Sequence, residues 1–344
     1  MIDPRKDGTL KVTGGVDPAG AQVIASQLSV NLTRAGLIAR RQGIFVVLVA
    51  IFIVATALSR NFLTGSNLLN IMRAVAILGV MAVGQTFVAI GGGLADVSAG
   101  PNVSLSAVLA LGLQPTLGVE GAAVVAVIVG LVIGVLNGVL VGALRTNPVV
   151  ATIGSGVVVG GITLAYTSGN TQFAQSSALS AFGTGSTLGI PNLVLAFLVV
   201  VVVAHLVLWR TTFGRRVYAT GGSYEAARAS GLRVRSTVLA VFVVSGVACG
   251  IAGVLIAGLL GQVNYDSGDS YTFGSIAAVA VGGTSLFGGD GSVLRTVAGV
   301  LTIGILNNIV VLLGWPLDVQ VVVTGAAILV AVWADAALRR KVTS

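Results

Sequence analysis

The sequence predicts an all-α, polytopic integral membrane protein. It should have roughly eight to ten transmembrane helices, some of them short and broken, with both termini cytoplasmic. Three observations carry this prediction. Of 344 residues, 55% are hydrophobic and only 9% charged, against about a quarter charged in soluble domains. The apolar residues come in runs of near-spanning length, separated by polar or glycine-rich breaks. Basic residues gather in alternate loops. So little charge could not keep a globule of this size in water, which excludes a soluble enzyme, a nucleic-acid-binding domain and a disordered chain. The net charge of +8 then reads as basic loops anchoring the cytoplasmic side, with no nucleic-acid partner implied.

Residues 1–42 are polar and carry Arg5, Lys6, Lys11, Arg34, Arg40 and Arg41. They read as a cytoplasmic tail, because the first apolar stretch begins too late for a cleaved signal peptide. The transmembrane domain is expected over 43–336. Candidate spans are 43–58, 68–90, 102–114, 119–141, 149–166, 191–209, 237–260, 273–288, 293–313 and 317–336. Runs 102–114 and 273–288 are short, and short runs beside glycine-rich breaks read as broken or re-entrant helices. Residues 337–344, with Arg339, Arg340 and Lys341, form a basic cytoplasmic tail. Ten crossings from a cytoplasmic N-terminus leave Arg145, the 210–236 loop and this tail inside. The loops 167–190 and 261–272, which hold no Lys or Arg, fall outside, and Arg60 is the main exception.

Glycines recur at helical spacing. Gly130, Gly134, Gly138 and Gly142 share one face, as do Gly246 with Gly250 and Gly156 with Gly160. In lipid, such faces let backbones approach closely and pack by van der Waals contact. An internal echo is also visible. Gly134-Val135-Leu136-Asn137-Gly138 resembles Gly304-Ile305-Leu306-Asn307-Asn308, and each follows a glycine-rich break, 91–100 and 282–291. The echo is consistent with the internal repeats common in transporters.

Chemistry-bearing residues are few. The single Cys249 and single His205 exclude an internal disulfide and a multi-Cys or His-based metal centre. Cys249 reads as a small packing residue and His205 as an interfacial group. No G-x-x-x-x-G-K-[ST] loop occurs, so ATP is not hydrolysed by a P-loop on this chain, and no catalytic residue stands out. Paired carboxylates deep in the spans are missing too, which argues against ion-driven carriage. The spans do hold neutral polar groups, Gln85, Thr86, Asn137, Thr152, Thr163, Asn307 and Asn308. Singly these bridge helices; as a set they suit a path for a neutral, hydroxyl-rich solute.

The 210–236 loop contains Ser223-Tyr224-Glu225-Ala226-Ala227-Arg228-Ala229-Ser230-Gly231-Leu232. Ser223 can cap a helix, Glu225 suits its first turn and Gly231 can end it. A helix of about two turns is marginal alone in water. It must lie against something, either the lipid surface held by the arginines or a cytoplasmic partner that pushes on it.

Taken together, the first break with Asp96-x-Ser98, Leu136-Asn137-Gly138 and Asn147-Pro148-Val149-Val150-Ala151-Thr152-Ile153-Gly154 begin a specific series. It continues with Thr212-Phe213-Gly214-Arg215-Arg216-Val217-Tyr218-Ala219, then Glu225 to Gly231, then Gly282-Gly283-Thr284-Ser285-Leu286-Phe287-Gly288-Gly289. This series, spread over residues 60–336, resembles the permease subunit of bacterial ABC importers of the ribose/xylose/galactose type. The resemblance implies a pathway for a monosaccharide or similar neutral solute, opened by alternating access in a multi-pass protein of the bacterial inner (plasma) membrane. It implies a second permease subunit, a homodimer or heterodimer, and a periplasmic or lipid-anchored substrate-binding protein. It also implies a cytoplasmic ABC ATPase carrying the ATP and Mg, with no cofactor on this chain. Tyr224, Glu225, Ala226, Ala227, Arg228, Ser230 and Gly231 would then couple to that ATPase. Gln85, Asp96, Ser98, Asn137, Asn307 and Asn308 are the candidate pathway residues. One departure is local: the family's Gly-Ile-Asp-Leu-Ser-Val-Gly-Ser is here Gly93 to Pro101, with an extra residue and a proline that fixes φ and lacks an N–H. The alternative to an importer subunit is an autonomous secondary carrier or channel for a small polar solute.

Overall fold

The computed structural model describes residues 43–343; the N-terminal tail expected over 1–42 lies outside them. Each apolar run becomes a helix. These are α1 (Gly43–Leu58), α2 (Gly65–Ile90), α3 (Ala99–Gly112), α4 (Gln114–Gly138), α5 (Pro148–Thr167), α7 (Asn192–Arg210), α10 (Val234–Leu260), α11 (Asp269–Val281), α12 (Val293–Leu312) and α13 (Leu317–Thr343). A π-helical turn, Val139–Ala143, extends α4. By length and composition α2, α4 with its extension, α5, α7, α10 and α12 can each cross a membrane. The others are shorter: α3 has 14 residues, α11 has 13, and α13 is apolar over Asp318–Trp333. The backbone of α13 continues as helix through the basic residues that follow.

Local chemistry sets the helix ends. The Asn147 side chain accepts from the N–H groups of Val149 and Val150, and Pro148 occupies the first helical position of α5, where its missing N–H costs nothing. Gly118, at φ 70° and ψ 178°, breaks α4 one turn from its start. Pro101 falls in the first turn of α3, among backbone N–H groups that lack intrahelical partners anyway. The proline that departs from the family pattern is therefore accommodated without loss of a helical hydrogen bond.

The central element is α10, which packs against α2, α3 and α4. It runs antiparallel to α4 along the predicted glycine face. Gly130 meets Gly246 and Gly250, Gly134 meets Phe242 and Gly246, Gly138 meets Leu239, and Gly142 meets Arg235. A Cβ at Gly134 would come within 2.5 Å of the Phe242 carbonyl oxygen, so the two backbones touch directly. The Gly156–Gly160 pair is different: Gly156 packs on Ser98, while Gly160 has nothing within 4 Å. Outside this core, Val150, Val157, Val199 and Val321 stay 62–72% exposed, an apolar surface that suits lipid.

Several expectations need correction. The run expected at 273–288 stops as a helix at Val281, because Gly282 and Gly283 (φ +74°) turn the chain away. The loop 167–190 contains α6 (Ser177–Thr184), packed on α10, and a two-residue strand, Gln172–Phe173, paired antiparallel with Gln262–Val263. The 210–236 loop holds two helices, α8 (Thr212–Gly222) and α9 (Tyr224–Ala229), where one was expected. The asparagines of the internal echo are not equivalent. Asn137 lies on α4, two helices after its break, whereas Asn307 lies on α12, the helix that directly follows its own.

Candidate functional site

The first break, residues 91–98, joins α2 to α3 and folds back into the bundle. Gly92 and Gly93 donate to the carbonyls of Ala89 and Val88, which reverses the chain. Asp96 then returns to the level of Gln85, whose amide clamps it from both directions: Gln85 Nε2 donates to the Asp96 carbonyl at 2.7 Å, and the Asp96 N–H donates to Oε1 at 2.9 Å. The Asp96 carboxylate is buried and accepts from the Ser98 hydroxyl at 2.6 Å, the Ser98 N–H at 3.1 Å and the Ser245 hydroxyl at 2.9 Å. Asn137 Nδ2 donates to Ser98 Oγ at 2.7 Å, and the Val97 N–H donates to Thr152 Oγ1 at 3.1 Å. Side chains from α2, α4, α5 and α10 therefore hold one irregular segment. Irregular backbone at membrane depth is tolerated where it is buried in protein or lines a water-filled cavity, and here side chains satisfy its polar groups. Asn137 Oδ1 is buried with no partner among the described residues.

Of the predicted pathway residues, the structure brings together Gln85, Asp96, Ser98 and Asn137. Asn307 and Asn308 lie elsewhere. Asn308 exchanges two amide hydrogen bonds with Asn67 of α2, at 2.7 and 3.0 Å, and Asn307 accepts from Thr324 at 3.4 Å. Asn67 and Gln85 are eighteen residues apart on α2, about 27 Å along a helix. Sequence reasoning passed over Ser245 and Thr152 as anchors of the break. The short helices α3 and α11 also meet inside the bundle: Gly100 abuts Gly268 and Asp269, and the Gly268 N–H donates to Ser104 Oγ at 2.8 Å.

The second break, residues 282–292, joins α11 to α12. It is closed by a Ser285 N–H bond to the Asp290 carbonyl at 2.8 Å and by an ion pair between Arg295 and Asp290, also at 2.8 Å. Ser292 caps α12 by accepting from the Arg295 N–H. The Gly289 N–H donates to the Ile90 carbonyl at 2.9 Å, so the second break is bonded to the last residue of α2.

Helix α8 lies across this junction. Thr211 caps it, Phe213 stacks on Phe87 at 6.3 Å, and Val217 is fully buried. The Tyr218 hydroxyl donates to the Gly291 carbonyl at 2.8 Å. Burial raises the Tyr218 phenol above its ordinary range, opposed by the Arg295 charge and helped by that of Asp290, so the hydroxyl keeps the proton it donates. At the end of α8, Gly221 touches the Ile90 carbonyl, Gly92, Gly288 and Gly289. Its neighbour Gly222 abuts Gly289.

Helix α9 follows at once. Ser223 Oγ accepts from the Ala226 N–H at 3.3 Å, the predicted cap. Gly231, at φ +79°, ends the turn, and the Leu232 N–H closes on the Ala227 carbonyl at 3.1 Å. Ala227 is buried against the protein, Tyr224 is half-buried, and Glu225, Ala226, Arg228 and Ser230 face outward. Beside α9 a cleft of 390 Å³ is lined by Arg145, Tyr224, Arg228, Leu232, Arg233 and Arg235, among others. The basic residues of the α4–α5 corner and of the α9–α10 corner thus share one end of the bundle.

Comparison with known proteins places this sequence in a family. Residues 67–332 match the family described as the branched-chain amino acid transport system / permease component. The ribose import permease protein RbsC of Bacillus subtilis (strain 168) is 41% identical over 306 residues, 86% of this chain and 92% of that protein. RbsC of Escherichia coli (strain K12) is 36% identical, over 86% of this chain and 93% of its own length. The D-allose transport system permease protein AlsC of the same organism is 32% identical, over 86% and 91%. No solved structure matches the chain. A polytopic helical bundle and these likenesses over 86% of the chain agree, and the chain belongs to the family of ABC-importer permeases, as a multi-pass inner-membrane protein similar to the sugar permeases within it.

Proposed function

We propose that this chain is the membrane-spanning subunit of an ABC importer for a monosaccharide or a similar small neutral solute. It works by alternating access, driven by a separate cytoplasmic ATPase that carries the ATP and Mg. The observation that carries this reading is α9, a six-residue capped helix displayed on the basic end of a chain that has no nucleotide-binding loop of its own. The positive-inside rule assigns that basic end to the cytoplasm, where Glu225, Ala226, Arg228 and Ser230 face an ATPase. A helix this short is not stable by propensity, so its exposed face suits a docking surface held rigid by Ala227 and the Ser223 cap. A secreted or lipid-anchored binding protein delivers solute at the opposite end, and a second permease subunit completes the path. The sugar class follows from the relatives, whose names specify ribose and allose.

The test is co-purification with a cognate ABC ATPase from the same organism. Glu225→Arg reverses a charge on the exposed face of α9, and Gly231→Pro forces a left-handed position into a φ that proline cannot adopt. Both should abolish stable assembly while the permease itself still folds, as judged by its thermal melt. Assembly and ATP-driven uptake at wild-type levels in both variants would contradict the reading.

A further inference from the structure

We propose that Tyr218 and Gly221 of α8 are positioning residues that carry displacement of α9 to both helix breaks at once. The inference rests on the ATPase-docking reading of α9 given above. Only Ser223 separates α8 from α9, and it serves as the cap of α9, so the two helices meet at a rigid corner. The far face of α8 is keyed into the bundle. Gly221 lies against backbone of both breaks: the Ile90 carbonyl and Gly92 on one side, Gly288 and Gly289 on the other. A Cβ at position 221 would overlap the Ile90 carbonyl and come within 2.8 Å of the Gly289 nitrogen. Both are backbone atoms, which cannot rotate away as a side chain can. Gly92, Gly288 and Gly289 all hold positive φ, at 84°, 96° and 76°, so the knot is built from conformations that other residues rarely adopt.

Two hydrogen bonds tie the knot. The Gly289 N–H to Ile90 carbonyl bond joins the second break to the first, and the Tyr218 hydroxyl to Gly291 carbonyl bond joins α8 to the second break. From Gly92 the chain runs directly to the Asp96 cluster and the start of α3. From Gly291 it runs to the Ser292 cap and the start of α12. A movement of α8 therefore acts on the starts of α3 and α12 together. Close-packed interfaces shift between discrete arrangements rather than deforming continuously, so a keyed corner transmits a displacement instead of absorbing it.

The experiment uses the full permease–ATPase complex in lipid nanodiscs, with hydrogen–deuterium exchange followed before and after trapping with Mg-ATP and vanadate. In the wild type, exchange over 91–98 and over 282–292 should change together, by about tenfold, alongside the 212–231 segment. Tyr218→Phe removes only the hydroxyl. It strands the buried Gly291 carbonyl, so the melt should fall modestly; assembly and the response of 91–98 should be kept, while that of 282–292 weakens. Gly221→Ala should uncouple both segments in complexes that still assemble. Loss of assembly in Gly221→Ala at an unchanged permease melt would overturn the proposal, because position 221 would then serve docking; where the melt falls, the Tyr218→Phe pattern alone decides. A wild-type response confined to one break, or a Tyr218→Phe pattern like that of the wild type, would also overturn it. Failure of the docking reading looks different: 212–231 itself would not respond to nucleotide.

Discussion

At the scale of single residues, the decisive feature is how the polar groups of the first break are used. Gln85, Asp96, Ser98 and Asn137 are spent on one another and on backbone, which makes them the frame of the break before anything else. Gln85 carries the largest share, because it satisfies both backbone groups of Asp96. Gln85→Leu keeps the volume and strands a buried N–H and a buried carbonyl. The expected cost is about 1–3 kcal/mol, read as a lower melting temperature of the purified protein. An unchanged melt would show that the clamp does not hold the break. Much of this cluster was legible as polar letters in apolar runs. Its wiring was not, because Ser245 and Thr152 look like any hydroxyl that bonds back along its own helix. Asn307 and Asn308 carry the same letters as Asn137 and yet pair with Thr324 of α13 and with Asn67 near the start of α2.

At the scale of elements, the helices were readable because lipid demands long apolar runs, and the breaks because clustered glycines interrupt them. What escaped was amphipathic. α8 turns half-buried Phe213, buried Val217 and half-buried Gly221 inward at helical spacing, but Arg215, Arg216 and the glycines hide it from a hydropathy reading. α6, only eight residues long with Leu179 and Gly183 buried, is lost among the small polar residues of its loop. The α4–α10 seam was legible from glycine spacing alone, and it gives a sharp contrast. Gly134→Ala drives a Cβ into the Phe242 carbonyl and the Gly246 backbone, so α4 and α10 must separate and the melt should fall by several degrees. Gly160→Ala meets open space and should be neutral or stabilise by up to about 1 kcal/mol through helix propensity. Equal effects of the two substitutions would mean that close backbone approach is not what holds the seam.

At the scale of the whole molecule, the proposed function makes this chain a conduit driven by a separate subunit. Among the described residues no group of three or more His, Cys, Asp or Glu could hold a metal ion, and the sequence has no P-loop. A capped helix and a cluster of arginines face outward at the basic end, where the proposed ATPase would dock. Behind them, α8 and two glycine-rich breaks lead inward to the starts of α3 and α12. The most direct measurement is sugar uptake into proteoliposomes, using radiolabelled D-ribose and D-allose. The permease alone, with an ion gradient and no nucleotide, should accumulate neither sugar. The permease with its ATPase, binding protein and Mg-ATP should concentrate a sugar that the binding protein holds. Concentrative uptake by the isolated permease would contradict the account.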